Sequence, residues 1–397
     1  MFSLKALYKI GYGPSSSHTM GPANAARYVK DKFPFAKRID VVLYSSLALT
    51  GKGHLTDYIL DKELKDIPHE IIFDEKENVS HPNTMKFIVT MNNEIIELFI
   101  VSVGGGIIEI EGESNNLYCE VYPHKTFESI SNYCISKGIG LNQYVDEFDD
   151  KDINNYLENI YNLMIKNVDN GLEKEGFLPG KLKVERKAKL IFNKVIDDKI
   201  QDKTKEKKLV CAYAFAASEE NASGALVVTS PTCGACGIIP SLLKYFEPQY
   251  GKKKLIEGLK VAGLIGLIVK HNASISGAEC GCQAEIGTAC SMGAALCTYL
   301  FGGDIHQIGR ASEIAMEHLL GLTCDPIDGY VQIPCIERNA VYALRAIEVA
   351  SLALFIGPAD NKISFDTVVK TMYETGLDLH RGYKETSKEG LAKHYKC

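Results

Sequence analysis

Twelve cysteines and ten histidines set the chemistry open to this chain. Half of the cysteines, Cys280, Cys282, Cys290, Cys297, Cys324 and Cys335, fall between residues 280 and 335. No two paired Cys-x-x-Cys hooks occur, so a zinc ribbon is not indicated, and the tight Cys-x-x-Cys-x-x-Cys run of bacterial ferredoxins is missing. Any metal centre must therefore be assembled from separate loops. Cys282 sits in Gly-Cys-Gln, Cys324 precedes Asp325 and Pro326, and Cys335 follows Pro334. Turn settings of this kind let several sulfurs aim at one point. Cys290 and Cys297 are seven apart on an expected helix and read as core residues. Cys280 and Cys282 cannot share a helical face, so at most one of them ligates. Cys233 and Cys236 form a Cys-x-x-Cys without a flanking βαβ pattern, and lining a substrate pocket suits them better than redox catalysis. Cys397, the last residue, is either a surface thiol or a ligand that the tail carries into a site.

Histidine has a pKa suited to proton transfer near neutrality. His54 follows Gly51 and Gly53 in a polar loop and is the first candidate base; the plainer reading is a loop histidine capping backbone groups. His18 is the second, as a proton relay or an orienting donor. Ser15, Ser16 and Ser17 precede an expected helix start, where free backbone N–H groups favour an anion, although simple N-capping explains them equally well. His81 and Asn83 can line the same cleft. Asn272, Ser274 and Ser276 bring polar groups close in sequence to Cys282, and Arg338, just after Cys335, either offsets charge at a metal centre or makes a structural ion pair.

The elements that must position these residues divide the chain unevenly. The first segment, residues 1–150, mixes a helical pattern through Ala23, Ala26 and Val29 with strand character at residues 38–43, 86–90 and 95–103, broken by Gly104–Gly106. Residues 151–205 are rich in Asp, Asn and Lys and read as a helical connector with a turn at residues 176–180. Residues 206–397 carry helical patterning almost throughout, with expected helices near 212–220, 239–246, 256–270, 293–301, 305–320, 336–355 and 365–374. The expected fold is α+β: an N-terminal α/β-type domain with a β-sheet, followed by an all-α domain. Apolar residues make up 46 % and charged residues 24 % of 397 positions, as in a soluble globular protein of two or three domains. A net charge of -6 argues against nucleic acid as a general partner. The apolar run 261–269 is too short for a membrane span, and the N-terminus carries no export pattern. A cytoplasmic location is therefore the expectation, and there cysteines serve metal binding, catalysis or burial rather than disulfides.

Several motifs form a recognisable set, the C-terminal ones too long to be chance: Gly-Pro-Ser-Ser-Ser-His-Thr at 13–19, Ser-Leu-Ala-Leu-Thr-Gly-Lys-Gly-His at 46–54, His-Pro-Asn at 81–83, Asn-Ala-Ser-Ile-Ser-Gly-Ala-Glu at 272–279, Leu-Thr-Cys-Asp-Pro at 322–326 and Pro-Cys-Ile-Glu-Arg-Asn-Ala at 334–340. With them the sequence resembles the bacterial iron–sulfur L-serine dehydratases in their single-chain form, over essentially the whole chain. The resemblance implies an L-serine ammonia-lyase that converts L-serine to pyruvate and ammonia, a homodimer, and an oxygen-sensitive [4Fe–4S] cluster on Cys282, Cys324 and Cys335. It implies His54 as the catalytic histidine and Cys397 as a displaceable ligand of the fourth iron. One departure stands out: Cys233 occupies a position where the family commonly has Asn in Pro-Thr-x-Gly-Ala.

Other readings stay open on sequence alone. An electron-transfer protein would use four permanent cysteine ligands and no base histidines. An amino-acid sensor would bind serine without turnover. A dehydratase for L-threonine differs by one methyl group, worth roughly 1–3 kcal/mol in an apolar pocket. A pyridoxal phosphate enzyme needs a Schiff-base lysine, which no motif here nominates.

Overall fold

The computed structural model describes residues 1–75, 79–92, 94–113, 120–197, 204–356 and 361–395. Alternation of apolar and polar residues builds a five-stranded sheet from β2 (Arg38–Tyr44), β3 (Ile71–Asp74), β4 (Thr84–Thr90), β5 (Ile95–Ser102) and β6 (Ile108–Ile110), in the order β3-β2-β4-β5-β6. β2 and β3 run parallel, joined through helices Ser45–Thr50 and Thr56–Leu64; the other pairs are antiparallel. Met85 lies opposite Ile100 and Phe87 opposite Leu98. Their side chains share one face, which packs under Ala25, Ala26 and Val29 of helix Gly21–Lys32 and under Leu60 and Leu64. Gly104, Gly105 and Gly106 all take positive φ at the turn between β5 and β6, which accounts for the break after the β5 run.

A larger core surrounds the second half of the sequence. Its axis is helix Ile238–Asn272, two arms that meet at the non-helical Gly251; Val261 to Val269 are buried throughout. Helix Thr288–Leu300 packs against it with Cys290 and Cys297 fully buried, as their spacing predicts. Helices Lys205–Ala222, Ile305–Glu317, Cys335–Ile356 and Phe365–Asp378 complete this layer. Met1, Leu4, Leu7 and Tyr8 join the same core, as do Leu157, Ile160 and Met164 of helix Ile153–Glu173.

One strand interrupts the helical half. β7 (Leu226–Val228) pairs antiparallel with β1 (Ile10–Tyr12), Gly11 opposite Val227. Three residues are too few for alternation to register in sequence, and the pairing joins positions far apart along the chain. This ribbon matters because the serine-rich loop follows β1 directly. Helix Cys335–Ile356 is long and apolar enough by length and composition to cross a membrane; here its buried side packs into the helical core through Ala343, Ala346 and Val349.

Candidate active site

Two turns and a helix start carry the candidate cysteines, and Cys282 acts electrostatically on both Cys324 and Cys335. Cys282 follows Gly281, whose φ of 76° is left-handed, and precedes a one-turn π-helix, Gln283–Gly287. Gln283 fastens this loop to the next cysteine loop: its N–H donates to Leu322 O at 3.1 Å, and its side-chain oxygen accepts from Gly321 N at 2.9 Å. Cys324 lies two residues beyond. Cys335 begins helix Cys335–Ile356, and Asn339 one turn on accepts from Gly237 N at 2.9 Å and donates to Gly234 O at 2.8 Å. That brings the Cys233–Cys236 loop alongside.

The sulfurs of Cys282 and Cys324 and a carboxyl oxygen of Glu285 lie within 4.8 Å of one another. Cys324 hydrogen-bonds Cys282, and this bond, with Arg338, brings the Cys282 thiol down to about 7 in spite of burial. The same bond pushes Cys324 well up, and burial with the neighbouring Cys282 does so for Cys335. The pocket as it stands favours one thiolate, and further deprotonation calls for more positive charge. Arg338 supplies part of it: burial works against its charge, yet Cys282, Cys335 and Cys324 together raise its pKa. Its guanidinium also donates to Thr323 O at 2.7 Å.

A second group stands beside the first. His18 and His54 stack with ring centroids 4.5 Å apart, and both are fully buried. Glu385 Oε1 lies 3.3 Å from His54 Nε2 and 3.7 Å from His18 Nδ1. The hydrogen bonds fix both tautomers. His54 Nδ1 meets a carbonyl, Thr50 O, at 2.9 Å and must carry hydrogen there, which leaves Nε2 to exchange a proton. Ser46 Oγ donates to Glu385 O at 2.8 Å, so it accepts from His18 Nε2 at 3.1 Å; His18 Nδ1 then accepts from Ser17 Oγ at 2.9 Å. Burial above all lowers the His18 pKa to about 4, keeping that ring neutral. For Glu385 burial acts upward, but His18, His54 and the Ala278 N–H outweigh it and hold the carboxyl below its ordinary value.

Two glycines make close approaches, and at Gly53 the neighbour is backbone that cannot simply swing aside. A Cβ on Gly53 would sit 2.5 Å from the Gly329 carbonyl carbon, so the loop before His54 presses directly on backbone. A Cβ on Gly277 would sit 2.6 Å from Glu285 Oε2 and 3.1 Å from Cys324 Sγ.

The remaining candidate residues distribute as follows. Ser15 Oγ caps the π-turn Ser16–Met20 by accepting from His18 N at 3.0 Å, and Ser15, Ser16 and Ser17 are all buried. His81 lines a cleft of about 490 Å³ with Ser46, Glu279, Arg381 and Lys384, and Ser46 Oγ also bonds His18 Nε2. Asn83 is buried and donates to Ser102 O at 3.2 Å. Ser274 donates to Glu279 at 2.6 Å. Asn272 is exposed at the end of its helix and donates to Lys125 O and Ile268 O, away from both groups. Cys233 is buried against Met20, its sulfur 3.5 Å from the Met20 sulfur. Cys397 lies outside the described residues. Sequence reasoning does not single out Glu285 or Glu385. Neither stands in a periodic or motif context that marks a buried acid, and Glu385 lies in a run of charged and polar residues typical of surface.

A buried imidazole pair with an acidic partner thus stands beside a cysteine-lined site in which Cys282 alone has its thiol pKa lowered. The chain belongs to the serine dehydratase family: residues 62–392 match the family described as serine dehydratase alpha chain, and residues 3–62 match the serine dehydratase beta chain. Both parts are fused in one polypeptide. It is 37 % identical to L-serine dehydratase 2 of Escherichia coli, over 99 % of this chain and 98 % of that protein. It is 39 % identical to the L-serine dehydratase of Helicobacter pylori, over 100 % and 99 % respectively.

Proposed function

We propose that the protein dehydrates and deaminates L-serine to pyruvate and ammonia with a [4Fe–4S] cluster held by Cys282, Cys324 and Cys335. The observation that carries this reading is the set of three cysteines interacting electrostatically with Arg338, beside an imidazole pair, in a chain of this family. The donor set fits such a group: soft sulfur ligands from two turns and a helix start, a guanidinium to offset charge, and a buried hydroxyl, Ser276 Oγ, without a partner among the described residues. A bound cluster with three protein ligands supplies a Lewis-acid iron for the substrate oxygens.

The chain's own residues do the rest. His54 Nε2 takes the α-proton, and Glu385, 3.3 Å away, stabilises the imidazolium that results. Neutral His18 packs on the His54 ring and is held by Ser17 and Ser46, so the pair keeps its orientation. The backbone N–H groups of Ser16 and Ser17 receive the substrate carboxylate, while Ser15 N donates to Thr19 Oγ1 at 3.1 Å and holds the turn. Burial of both imidazoles excludes water from the proton transfer. Loss of the β-hydroxyl gives aminoacrylate, which tautomerises and hydrolyses to pyruvate and ammonia. The enzyme works in the cytoplasm as a homodimer.

The test is pyruvate release from L-serine by protein reconstituted with iron and sulfide without oxygen, with C282A, C324A and C335A alongside. Turnover lost in air and absent from all three variants is the expected result. A full cluster without pyruvate would reject serine dehydration and favour another small hydroxy acid.

A further inference from the structure

Among the described residues that line the cleft of about 490 Å³, Glu279 is the one acid. Ser46 and Ala278 belong to the same wall. Ser46 Oγ bonds His18 Nε2, and the Ala278 N–H bonds the Glu385 carboxyl, so the cleft shares this wall with the histidine–glutamate group. Its size suits a small ligand. The basic side chains of the cleft are engaged elsewhere. Arg381 Nη2 donates to Ser45 Oγ at 2.8 Å, Lys384 Nζ donates to Gly376 O at 2.9 Å, and His81 Nδ1 accepts from Asn83 N at 3.1 Å. Burial lowers the His81 pKa against the opposing pull of Glu279, which keeps that ring neutral. Glu279 also lines a second cavity, of about 340 Å³, with Ser274 and Lys270, and Lys270 Nζ donates to Ala6 O at 2.8 Å. Among the described residues no Lys, Arg or His forms an ion pair with Glu279; Ser274 Oγ donates to its Oε2 at 2.6 Å, and its Oε1 has no hydrogen-bond partner.

L-Serine carries three polar groups. Its carboxylate and β-hydroxyl have partners in the function proposed above; its α-ammonium has none yet, since Glu385 is engaged with the histidines. We infer that Glu279 receives the α-ammonium group of the substrate from this cleft and so selects a 2-amino acid over a hydroxy acid that lacks the amine. This inference rests on the serine dehydratase reading and adds the residue that reads the amine. The placement fits the chemistry. Glu279 follows Ala278, whose N–H is bound to the carboxyl that stands 3.3 Å from His54 Nε2. The α-carbon bears both the amine and the proton that His54 removes, so a group that holds the amine at this wall turns the α-proton toward the imidazole. Ser274 steadies one carboxyl oxygen and leaves the other to accept from the ligand. A site built to pair with a substrate N–H discriminates strongly against an analogue without it, because the site's own polar group is then left unpaired.

The experiment compares reconstituted wild type, E279Q and E279D by two constants: KM for L-serine, and the inhibition constant of 3-hydroxypropanoate, which keeps the carboxylate and β-hydroxyl but lacks the amine. Iron content and urea midpoint are read on the same preparations. Gln at this position still accepts from Ser274 Oγ but carries no charge. In E279Q, KM for L-serine is expected to rise on the order of 30-fold, the low end for a hydrogen-bonded charge pair, since Glu279 is only half-buried. Inhibition by 3-hydroxypropanoate, iron content and urea midpoint stay as in the wild type. E279D, with the carboxylate drawn back by one methylene, falls between. An unchanged KM overturns the proposal. An equal rise in both constants also overturns it, making Glu279 a support of the cleft rather than a reader of the amine. If E279Q loses iron or stability, E279D decides by the same comparison of the two constants. A wild type that holds its cluster but releases no pyruvate from L-serine rejects the serine dehydratase reading itself, before any variant is compared.

Discussion

The backbone N–H of Glu385 donates to the carbonyl oxygen of Cys324 at 2.7 Å, while Cys324 N donates to Tyr383 O at 2.8 Å. The residue that faces both histidines is thereby fastened to one of the cysteine loops by main chain alone. Its side chain remains free to act on the imidazoles, so position and chemistry can be separated by mutation. E385Q keeps the backbone bonds. We expect it to retain the wild-type iron content while kcat falls about 100-fold, the usual size of a lost acid–base contribution. Iron analysis and pyruvate release on one preparation check this, and an E385Q protein without iron would assign the carboxylate to the metal pocket.

The cysteines divide into two sets by position. Cys282 and Cys324 stand at turns and Cys335 at a helix start, all three interacting electrostatically with Arg338, whereas Cys290 and Cys297 lie fully buried within helix Thr288–Leu300. Ser replacement of any of the first three should abolish iron retention, since metal affinity depends on thiolate donors. C290A and C297A should hold iron and turn over serine, each losing about 1 kcal/mol of stability from lost packing. Iron-to-protein ratios after desalting, with urea midpoints, separate the two outcomes. Loss of iron in C297A would place a fourth ligand in the helical core.

Gly53 presses against the backbone of Gly329 ahead of His54, and a methyl group there has nowhere to go. In G53A one of the two backbones must shift, which costs about 2 kcal/mol of stability. Because His54 is the next residue, kcat should fall while iron content holds. A G53A enzyme with wild-type kcat would detach this loop from the chemistry.

Much of this arrangement is legible in the amino-acid sequence. The strand near 38–43, the long buried stretch 261–269 and the turn setting of Cys324 follow from local residue types, whereas Cys335, expected in a turn, is the first residue of a helix. Glycines around His54 mark it as a loop histidine with a special backbone. The β1–β7 ribbon is hidden because β7 has three residues, too few for periodicity, and its partner lies more than 200 positions away. Glu385 is hidden for a related reason. It sits in Lys-Glu-Thr-Ser, reads as surface, and becomes a buried partner of His54 only when the chain bridges Lys384 to Cys324. Asn272 misleads in the opposite direction: its motif lies close to Cys282, but its amide caps backbone carbonyls at a helix end. Local chemistry names the groups, whereas long-range pairing decides which of them meet.

Glu219 gives stability a pH dependence of its own. Burial raises its pKa from 4.5 to about 7, opposed by the N–H groups of Lys187 and Ala188 and by Arg186. Between those values the folded state keeps a proton that the unfolded state has released. Stability therefore falls as pH rises through that window, by about 3 kcal/mol. Gln at this position still accepts from Lys187 N, so E219Q should be flatter with pH and relatively more stable at pH 7.5 than at pH 5. Urea midpoints for both proteins at the two pH values test this, and parallel curves would remove Glu219 as the source.

His18 acts with the opposite sign. Its pKa falls from 6.5 to about 4, chiefly through burial, with His54 adding to the effect and Glu385 opposing it. As pH falls from 6.5 toward 4, the unfolded state takes up a proton that the folded state refuses. Stability is lost over that window, by about 3 kcal/mol, and above 6.5 the group has no effect. H18Q should abolish this dependence, because an amide can donate to Ser46 Oγ and accept from Ser17 Oγ without titrating. The measurement is the difference in urea midpoint between wild type and H18Q at pH 7 and pH 5, taken on metal-free protein so that acid lability of a cluster does not enter. A difference that widens at pH 5 in favour of H18Q supports a neutral His18 in the native site. The same difference at both pH values would mean that His18 is protonated there, and the proton-transfer assignment would have to pass from His54 to the pair as a unit.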